Sequence, residues 1–143
     1  HRWPTELDPA AAAEAYERTL RDEFGGWPCF DLVLLGMGED GHTASLFPGS
    51  PALEVCDRPV AANPVGGSQG WRLTLTLPAL KAARRILFMV GGQAKAAALR
   101  RVLAGEDLPA ARVHGLDETR WLVDQAAWSG TASDPSTASG PSA

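Results

Sequence analysis

Apolar residues near the start of the chain recur with the spacing of one helix face. They fall at every fourth position from Ala12 to Phe24, after the pair Asp8-Pro9 and before two consecutive glycines. Aspartate is a favourable N-cap, proline suits the first helical position, and glycine suits the residue that follows a helix. The spacing therefore predicts an amphipathic helix between these two signals.

Short apolar or alternating segments later in the chain predict β-strands that are separated by helices. The runs at 30–35 and 85–90 are almost continuously apolar, which is typical of strands covered on both faces of a sheet. Further strands are predicted at 72–77 and 119–123, and helices at 78–83, at 93–104 and around 126–128. Strands that alternate with helices predict the α/β class with a mainly parallel sheet.

Three segments carry the signals of turns and irregular chain. Residues 42–47 suit a short helical turn, in which Thr43 and Ser45 would act as capping or packing groups. The proline- and glycine-rich stretch 48–70 is interpreted as a long loop. From 129 to 143 the chain consists of Ser, Thr, Gly, Pro and Ala with one acid, a composition that predicts a disordered tail.

The composition excludes several classes of function. A chain of 143 residues suits one domain, and its net charge of −4 gives no general attraction to nucleic acid or to acidic membranes. Two cysteines without regular spacing indicate reduced thiols, and the apolar runs are too short to cross a bilayer. These features predict a cytoplasmic protein that binds neither nucleic acid nor membrane. The absence of an initiator methionine hints at a fragment.

The octet at 36–43, Gly-Met-Gly-Glu-Asp-Gly-His-Thr, is the most informative segment of the chain. It directly follows the apolar run of the first predicted strand, and its glycines permit a tight turn. Asp40 and His42 would then form an acid/base pair at the carboxyl end of a strand, where open α/β sheets bind their ligands. The alternative for these residues is a helix-capping Asp beside an exposed His. One His and one Asp are too few to hold a metal ion.

The three glycines of the octet also match the glycine pattern of dinucleotide-binding loops. The match is weak because no acidic residue ends a second strand about 20 residues later. The third glycine is also followed by His-Thr rather than by an apolar helix. A dinucleotide-binding module is therefore a rival interpretation with little support.

Arg72 and Lys95 form a second candidate constellation. Lys95 lies in the first turn of a predicted helix, where the helix dipole disfavours a cation. A bound phosphate would explain this position, because backbone N–H groups, the ammonium and the guanidinium of Arg72 could hold it together. The alternative is a pair of solvated surface charges.

Three segments together resemble the sequence signatures of the 6-phosphogluconolactonase family. Residues 30–49, FDLVLLGMGEDGHTASLFPG, are similar to the first signature, and 72–80 and 91–96 are similar to two later ones in the expected order. The resemblance implies a modified Rossmann-like α/β/α sandwich with a mainly parallel sheet. Earlier motifs of the family are missing, so residues 1–128 are expected to be the C-terminal portion of such a domain, with the N-terminal part of the fold absent.

The resemblance also implies a reaction and a set of site residues. The reaction is the hydrolysis of 6-phospho-D-glucono-1,5-lactone to 6-phospho-D-gluconate in the pentose phosphate pathway, with no cofactor and no metal. His42 would be the general base with Asp40 as its acidic neighbour, and the substrate-binding residues would be Arg72, Lys95, Gly38 and Gly41. The expected partner is a small phosphosugar lactone, and the expected assembly is a monomer.

Two further interpretations stay open beside the lactonase reaction. One is a sugar-phosphate isomerase or deaminase, although the segment after His42 lacks the carboxylate that deaminases carry there. The other is a sugar-phosphate-binding fragment without catalytic activity, which the missing earlier motifs favour.

Overall fold

The computed structural model describes residues 1–66 and 70–129. Its first helix, α1 (Pro9–Phe24), begins and ends at the predicted signals. The Asp8 carboxylate accepts hydrogen bonds from the backbone N–H groups of Ala10 and Ala11, and Gly25 follows the helix in the left-handed conformation with a φ of 65°. The predicted capped helix is therefore confirmed.

Strands and helices are interspersed along the rest of the described chain, although no α-helix separates the first three strands. In order they are β1 (Leu32–Leu35), β2 (Val60–Pro64), β3 (Trp71–Leu75), α2 (Leu77–Lys81), β4 (Arg85–Val90), α3 (Ala96–Leu103), α4 (Pro109–Arg112), β5 (Glu118–Val123) and α5 (Gln125–Trp128). Two short 3-10 helices lie at Pro51–Glu54 and Gln93–Lys95. The predicted α/β class is confirmed.

The central sheet is parallel and has the strand order β1-β4-β5. Leu34 of β1 lies opposite Leu87 of β4, and Val90 of β4 lies opposite Val123 of β5. Because β1 and β4 are parallel neighbours, the segments that follow them leave the sheet at the same edge. This arrangement brings residues 36–42 close to the segment that contains Lys95.

One face of this sheet is covered by the core. Ile86, Phe88 and Val90 of β4 point into it and are buried, and Leu80 of α2 and Leu99 of α3 are completely buried against them. The ring of Phe88 stacks on Trp121 of β5 with centroids 3.9 Å apart. Burial of these side chains is the main stabilising contribution to this half of the molecule.

The other face of the sheet is exposed, so the prediction that β1 and β4 are covered on both faces is wrong for the described chain. Leu32 and Leu34 of β1 are 47% and 56% exposed, and Met89 and Leu122 on the neighbouring strands are 51% and 57% exposed. The apolar pattern correctly indicates two apolar faces. The described helices α2 to α5 contribute to the core on one face only, and α1 packs on β2 and β3 instead.

The second sheet is an antiparallel pair of β2 and β3. Its strand β2 lies inside the stretch 48–70, for which the composition predicts a loop, and this prediction is wrong. Val60 of β2 is completely buried against Ala13 and Leu20 of α1. The sequence pattern hides the strand because Pro59 precedes it, Pro64 is its last residue, and Ala and Asn have low strand propensity. Burial against α1 outweighs that propensity.

The predicted helical turn at 42–47 is also wrong. Thr43 and Leu46 form an isolated antiparallel bridge around a turn, in which Ala44 has a positive φ of 50°. The hydroxyl of Thr43 donates a hydrogen bond to the carbonyl of Gly36 at 2.8 Å. Such a side-chain bond to preceding backbone competes with helix formation. Thr43 and Ser45 are therefore not N-terminal helix residues.

The remaining predictions agree with the structure to within a few residues. The predicted helix at 93–104 consists of the 3-10 helix Gln93–Lys95 followed by α3. The strands predicted at 72–77 and 119–123 correspond to β3 and β5. The predicted disordered tail at 129–143 lies, apart from Ser129, outside the described residues.

Candidate active site

Residues 36–42 form a tight turn at the carboxyl end of β1. The N–H of Gly38 donates to the carbonyl of His42 at 2.8 Å, and the N–H of Gly41 donates to the carbonyl of Gly38 at 3.1 Å. Gly41 has a φ of 82°, which residues with a Cβ rarely adopt. Leu108 also packs closely on Gly41, because a Cβ there would lie 2.8 Å from Leu108 Cδ1. The turn carries Asp40 and His42 at the edge of the parallel sheet.

The side chains of Asp40 and His42 contact each other within this turn. Asp40 Oδ1 lies 2.6 Å from His42 Nδ1 and also accepts the backbone N–H of His42 at 3.0 Å. A neutral imidazole that donates its Nδ1 hydrogen to the carboxylate keeps Nε2 unprotonated, which is the form that a general base requires. The predicted contact is present, and the catalytic role of the pair stays a prediction.

The pKa of Asp40 lies below its ordinary value. Partial burial acts to raise this pKa, but hydrogen bonds from the backbone N–H and the ring of His42, together with attraction to the protonated ring, lower it by more. Asp40 is therefore a carboxylate at neutral pH. Because the folded-state pKa is the lower one, the interaction stabilises the fold above about pH 4 and is lost as the pH falls through the folded value.

Gly38 is buried directly against the imidazole. A Cβ at Gly38 would overlap Nδ1 and Cε1 of His42 and would lie 2.7 Å from Asp40 Oδ1. The ring of Phe47 also packs on the imidazole, with centroids 4.5 Å apart. The sequence predicts substrate binding by Gly38 and Gly41, but their N–H groups already donate within the turn. The absence of a side chain at these glycines leaves space for the imidazole and for Leu108, and their part in substrate binding stays a prediction.

The segment after His42 is anchored to the antiparallel sheet by buried polar side chains. The N–H of Ser45 donates to Thr74 Oγ1 at 3.2 Å. Asn63 Nδ2 donates to the carbonyl of Ser45 at 2.7 Å and to Ser50 Oγ at 3.1 Å. Asn63 and Thr74 are both buried. These bonds fix the chain segment that follows the turn at 36–42.

We expect Asn63→Leu to lower the free energy of unfolding by roughly 1–3 kcal/mol, because the carbonyl of Ser45 would be left without its buried donor. Urea denaturation followed by tryptophan fluorescence measures this change. The matched variant Asn63→Asp keeps the size of the side chain but removes the Nδ2 donor, so it should also be less stable. If Asn63→Asp were as stable as the unmodified chain, the assigned role of this donor would be contradicted.

Lys95 borders the same hollow as His42. This hollow has a volume of about 350 Å³, and Gly38, His42, Ala44 and Lys95 are among the residues that line it. The Nζ atom of Lys95 lies 3.8 Å from Glu39 Oε1. The imidazole of His42 and the ammonium of Lys95 therefore lie together at the edge of the central sheet where β1 and β4 end, and the carboxylate of Asp40 contacts the imidazole.

Asp124 fixes the backbone that precedes Lys95. Its Oδ2 accepts the N–H of Gly92 at 2.9 Å, and the carbonyl of Gly92 accepts the N–H of Lys95 at 3.0 Å. Its Oδ1 accepts the N–H of Ala127 at 2.8 Å and so caps α5. Asp124 thereby ties the segment after β4 to the segment after β5.

Arg72 lies apart from this hollow. It is on β3 opposite Asn63, and its Nη1 donates to the carbonyl of Trp71 at 3.2 Å. Together with Trp3 and Leu7 it borders a different hollow. The expected clamp of Arg72 and Lys95 around one anion is therefore not assembled in this structure. The order of the sequence signatures along the chain does not show how far apart Arg72 and Lys95 lie in the fold. Arg72 is on β3, and β3 does not belong to the central sheet.

Other features of the described residues are less suited to chemistry. A larger hollow of about 590 Å³ lies between α1 and β2, and no histidine lines it. Within residues 1–66 and 70–129, no group of three or more His, Cys, Asp or Glu side chains could hold a metal ion. None of the described helices is long and apolar enough to cross a membrane. The hollow at His42 is the candidate active site.

Comparison with known proteins assigns the chain to a family. A family model described as glucosamine-6-phosphate isomerases/6-phosphogluconolactonase matches residues 1–121, and this range includes Asp40, His42 and Lys95. The chain belongs to this family. The family recognised from the sequence signatures is thereby confirmed.

Several members of the family are similar to this chain. The 6-phosphogluconolactonase of Synechocystis is 44% identical over an aligned length of 137, and the match covers 89% of this chain and 56% of the relative. That of Rattus norvegicus is 46% identical over an aligned length of 133, and the match covers 85% of this chain and 51% of the relative. The chain spans about half the length of the curated relatives it matches.

The fold is also that of solved family members. The crystal structure of 6-phosphogluconolactonase from Thermotoga maritima has a TM-score of 0.75 to this chain at 37% identity. The match covers 86% of this chain and 55% of that structure. This likeness confirms the Rossmann-like α/β fold that the sequence resemblance implies.

Three residues near the candidate active site of this chain were not predicted from its sequence. Glu39 stands between two residues of the octet that have predicted roles, yet nothing in its spacing connects it to Lys95. Asp124 could have been found as a cap of the last predicted helix. Asn63 is the only asparagine of the chain, but it lies in the stretch interpreted as a loop.

Proposed function

We propose that this protein hydrolyses 6-phospho-D-glucono-1,5-lactone to 6-phospho-D-gluconate, as a carboxylic ester hydrolase of the pentose phosphate pathway. The observation that carries the proposal is that His42, whose Nδ1 lies 2.6 Å from Asp40 Oδ1, lines one hollow together with Lys95. A base and a cation that border one hollow suit a substrate with an ester at one end and a phosphate at the other. Relatives named 6-phosphogluconolactonase support the same reaction.

His42 would act as general base and then as general acid. Its Nε2 takes a proton from a water molecule as the oxygen of this water attacks the lactone carbonyl. Collapse of the tetrahedral intermediate breaks the bond between the carbonyl carbon and the ring oxygen, and the ring oxygen receives the proton from Nε2. Asp40 holds the Nδ1 hydrogen and stabilises the imidazolium that forms between the two steps. The reaction consumes one water and needs no oxidant or reductant.

Lys95 would hold the phosphate of the substrate. Its ammonium borders the hollow and has three donors for phosphate oxygens. Binding energy from this remote group can position the carbonyl against His42, which lowers the entropic part of the barrier. Arg72 as a second phosphate ligand stays a prediction, because it borders another hollow.

Two measurements test the proposal. The first is the consumption of lactone by this chain, with the spontaneous hydrolysis subtracted, and ammonia release from glucosamine 6-phosphate is the matching assay for the deaminase branch. The second is calorimetric binding of 6-phosphogluconate. Lys95→Ala is expected to weaken this binding roughly 10-fold or more, because a charged hydrogen bond is lost.

The binding of 6-phosphogluconate is also measured for two further variants, Arg72→Ala and Lys81→Ala. A loss with Arg72→Ala similar to that with Lys95→Ala would support Arg72 as a phosphate ligand, and unchanged binding would remove it from the site. Lys81 on α2 serves as the control for the loss of one positive charge. If Lys95→Ala bound 6-phosphogluconate as well as the unmodified chain, the assigned phosphate site would be wrong.

A sugar-phosphate-binding fragment without activity is the second candidate. It is favoured by the position of Arg72, which borders a different hollow from the one that His42 and Lys95 line. The exposed face of the parallel sheet agrees with it. Binding of 6-phosphogluconate without any acceleration of lactone hydrolysis would support this candidate over the lactonase.

We further propose that the protein is a monomer in the cytoplasm and binds no nucleic acid. Cys29 and Cys56 are both exposed free thiols, as expected in a reducing compartment. The net charge of −4 disfavours nucleic acid as a partner. Size-exclusion chromatography with light scattering tests the monomer directly.

A further inference from the structure

Glu39 has no role in the reaction described above, although it lies beside the phosphate ligand proposed there. Its Oε1 is 3.8 Å from Lys95 Nζ. This separation is an ion pair but is too long for a hydrogen bond, so the three donors of the ammonium are not held by Glu39. The side chain of Glu39 is 66% exposed and that of Lys95 is 29% exposed.

The two carboxylates of the turn each have a different partner. Asp40 is engaged by His42 through both the ring and the backbone N–H. Glu39 is adjacent to Asp40 in the chain and balances the positive charge of Lys95. An anion that approaches Lys95 therefore meets an ammonium whose charge is already compensated by a carboxylate. The anion must either displace Glu39 into solvent or bind against its repulsion.

We propose that Glu39 is an affinity-determining residue that competes with the phosphate of the ligand for Lys95. The inference rests on the proposed function, because it takes Lys95 as the phosphate ligand. The Glu39 carboxylate pairs with the Lys95 ammonium before the phosphosugar binds, and it pairs with the ammonium again as the phosphorylated product leaves. Its exposure allows this exchange, because the carboxylate is hydrated when it swings away. Glu39 thus weakens the retention of the anionic product.

The test is the binding of 6-phosphogluconate to the Glu39→Gln variant. The variant keeps the size of the side chain and removes its charge. We expect binding about two- to fivefold tighter than that of the unmodified chain, which is the range for loss of a competing exposed ion pair. The gain is expected to shrink at high ionic strength, because salt screens exposed charges.

Glu106→Gln is the matched control. Glu106 also pairs with a cation, since its Oε2 lies 2.8 Å from Arg101 Nε, but this pair lies at the opposite end of α3 from Lys95. The variant makes the same change in net charge. Unchanged affinity in Glu106→Gln together with tighter binding in Glu39→Gln supports the competition. Equal tightening in both variants overturns it, because the effect would then be one of net charge.

Lys95→Ala separates failure of this inference from failure of the proposed function. If Lys95→Ala weakens binding and Glu39→Gln leaves it unchanged, the phosphate site stands and the competition is overturned. If Lys95→Ala leaves binding unchanged, or if the unmodified chain does not bind 6-phosphogluconate, the phosphate site and the competition are both overturned.

Discussion

Replacement of His42 by Ala is expected to lower kcat of lactone hydrolysis roughly 10²- to 10⁴-fold, the usual contribution of a general base. The Nδ1 hydrogen of His42 is directed to Asp40, so the other ring nitrogen is left to take the proton from water. Lys95 pairs with Glu39 rather than with the imidazole and should still bind 6-phosphogluconate in the variant. A loss in kcat with little change in product affinity is therefore the expected result. Stopped-flow measurement of lactone consumption provides the rate.

Two further variants make this prediction specific. His114→Ala removes an exposed histidine elsewhere and is expected to keep the unmodified rate. Asp40→Asn keeps an oxygen that can accept the Nδ1 hydrogen but removes the charge that stabilises the imidazolium, so its loss should be smaller than that of His42→Ala. Turnover near that of the unmodified chain in His42→Ala would reject His42 as the general base.

The sequence patterns whose predictions the structure confirms act between residues that are close together in the chain. The N-cap at Asp8 and the left-handed Gly25 bracket α1 because both act on neighbouring backbone groups. The contact between Asp40 and His42 was predictable for the same reason. Residues two positions apart in a tight glycine turn are held close together, so their side chains can meet. Local chemistry of this kind is readable without knowledge of the rest of the fold.

The shared hollow of His42 and Lys95 follows from topology. These residues are far apart in the sequence, but each follows a strand of one parallel sheet, and β1 and β4 are neighbours in it. Parallel strands end at the same edge, where ligands bind in open α/β sheets. Arg72 could not be placed in this way, because it is on the antiparallel pair of β2 and β3.

The features that the sequence did not reveal depend on tertiary burial. β2 is a strand because Val60 packs on α1, a contact between segments about 40 residues apart that overrides a weak local propensity. Asn63 acts on the segment after His42 through a buried side chain, and its partner Ser45 lies 18 residues earlier. The exposed apolar face of the central sheet is similar, since the pattern shows that Leu34 and Met89 are apolar but not whether a helix covers them.

Gly38→Ala is expected to reduce kcat roughly 10²-fold or more with only a small loss of thermal stability. The new Cβ would overlap Nδ1 and Cε1 of His42, so the imidazole must leave its position beside Asp40. Gly38 does not have a positive φ, so alanine is not strained there by its backbone. The imidazole is partly exposed and can rotate towards solvent, which relieves the overlap at small cost to folding. A displacement of about 1 Å at a catalytic group is enough for such a loss of rate.

Gly36→Ala is the matched control for this prediction. It makes the same change two residues earlier, at a glycine that also lacks a positive φ, and its Cβ would meet no heavy atom within 4 Å. Gly36 also lines the hollow, so the new methyl group can lower substrate affinity, and the comparison is made on kcat at saturating lactone, which we expect to be largely kept. The comparison separates displacement of the imidazole from a general loss of flexibility in the glycine turn, because both variants stiffen the turn and only one displaces the ring. Equal loss of kcat in the two variants, or full activity in Gly38→Ala, would show that the position of the imidazole beside Asp40 does not limit the reaction.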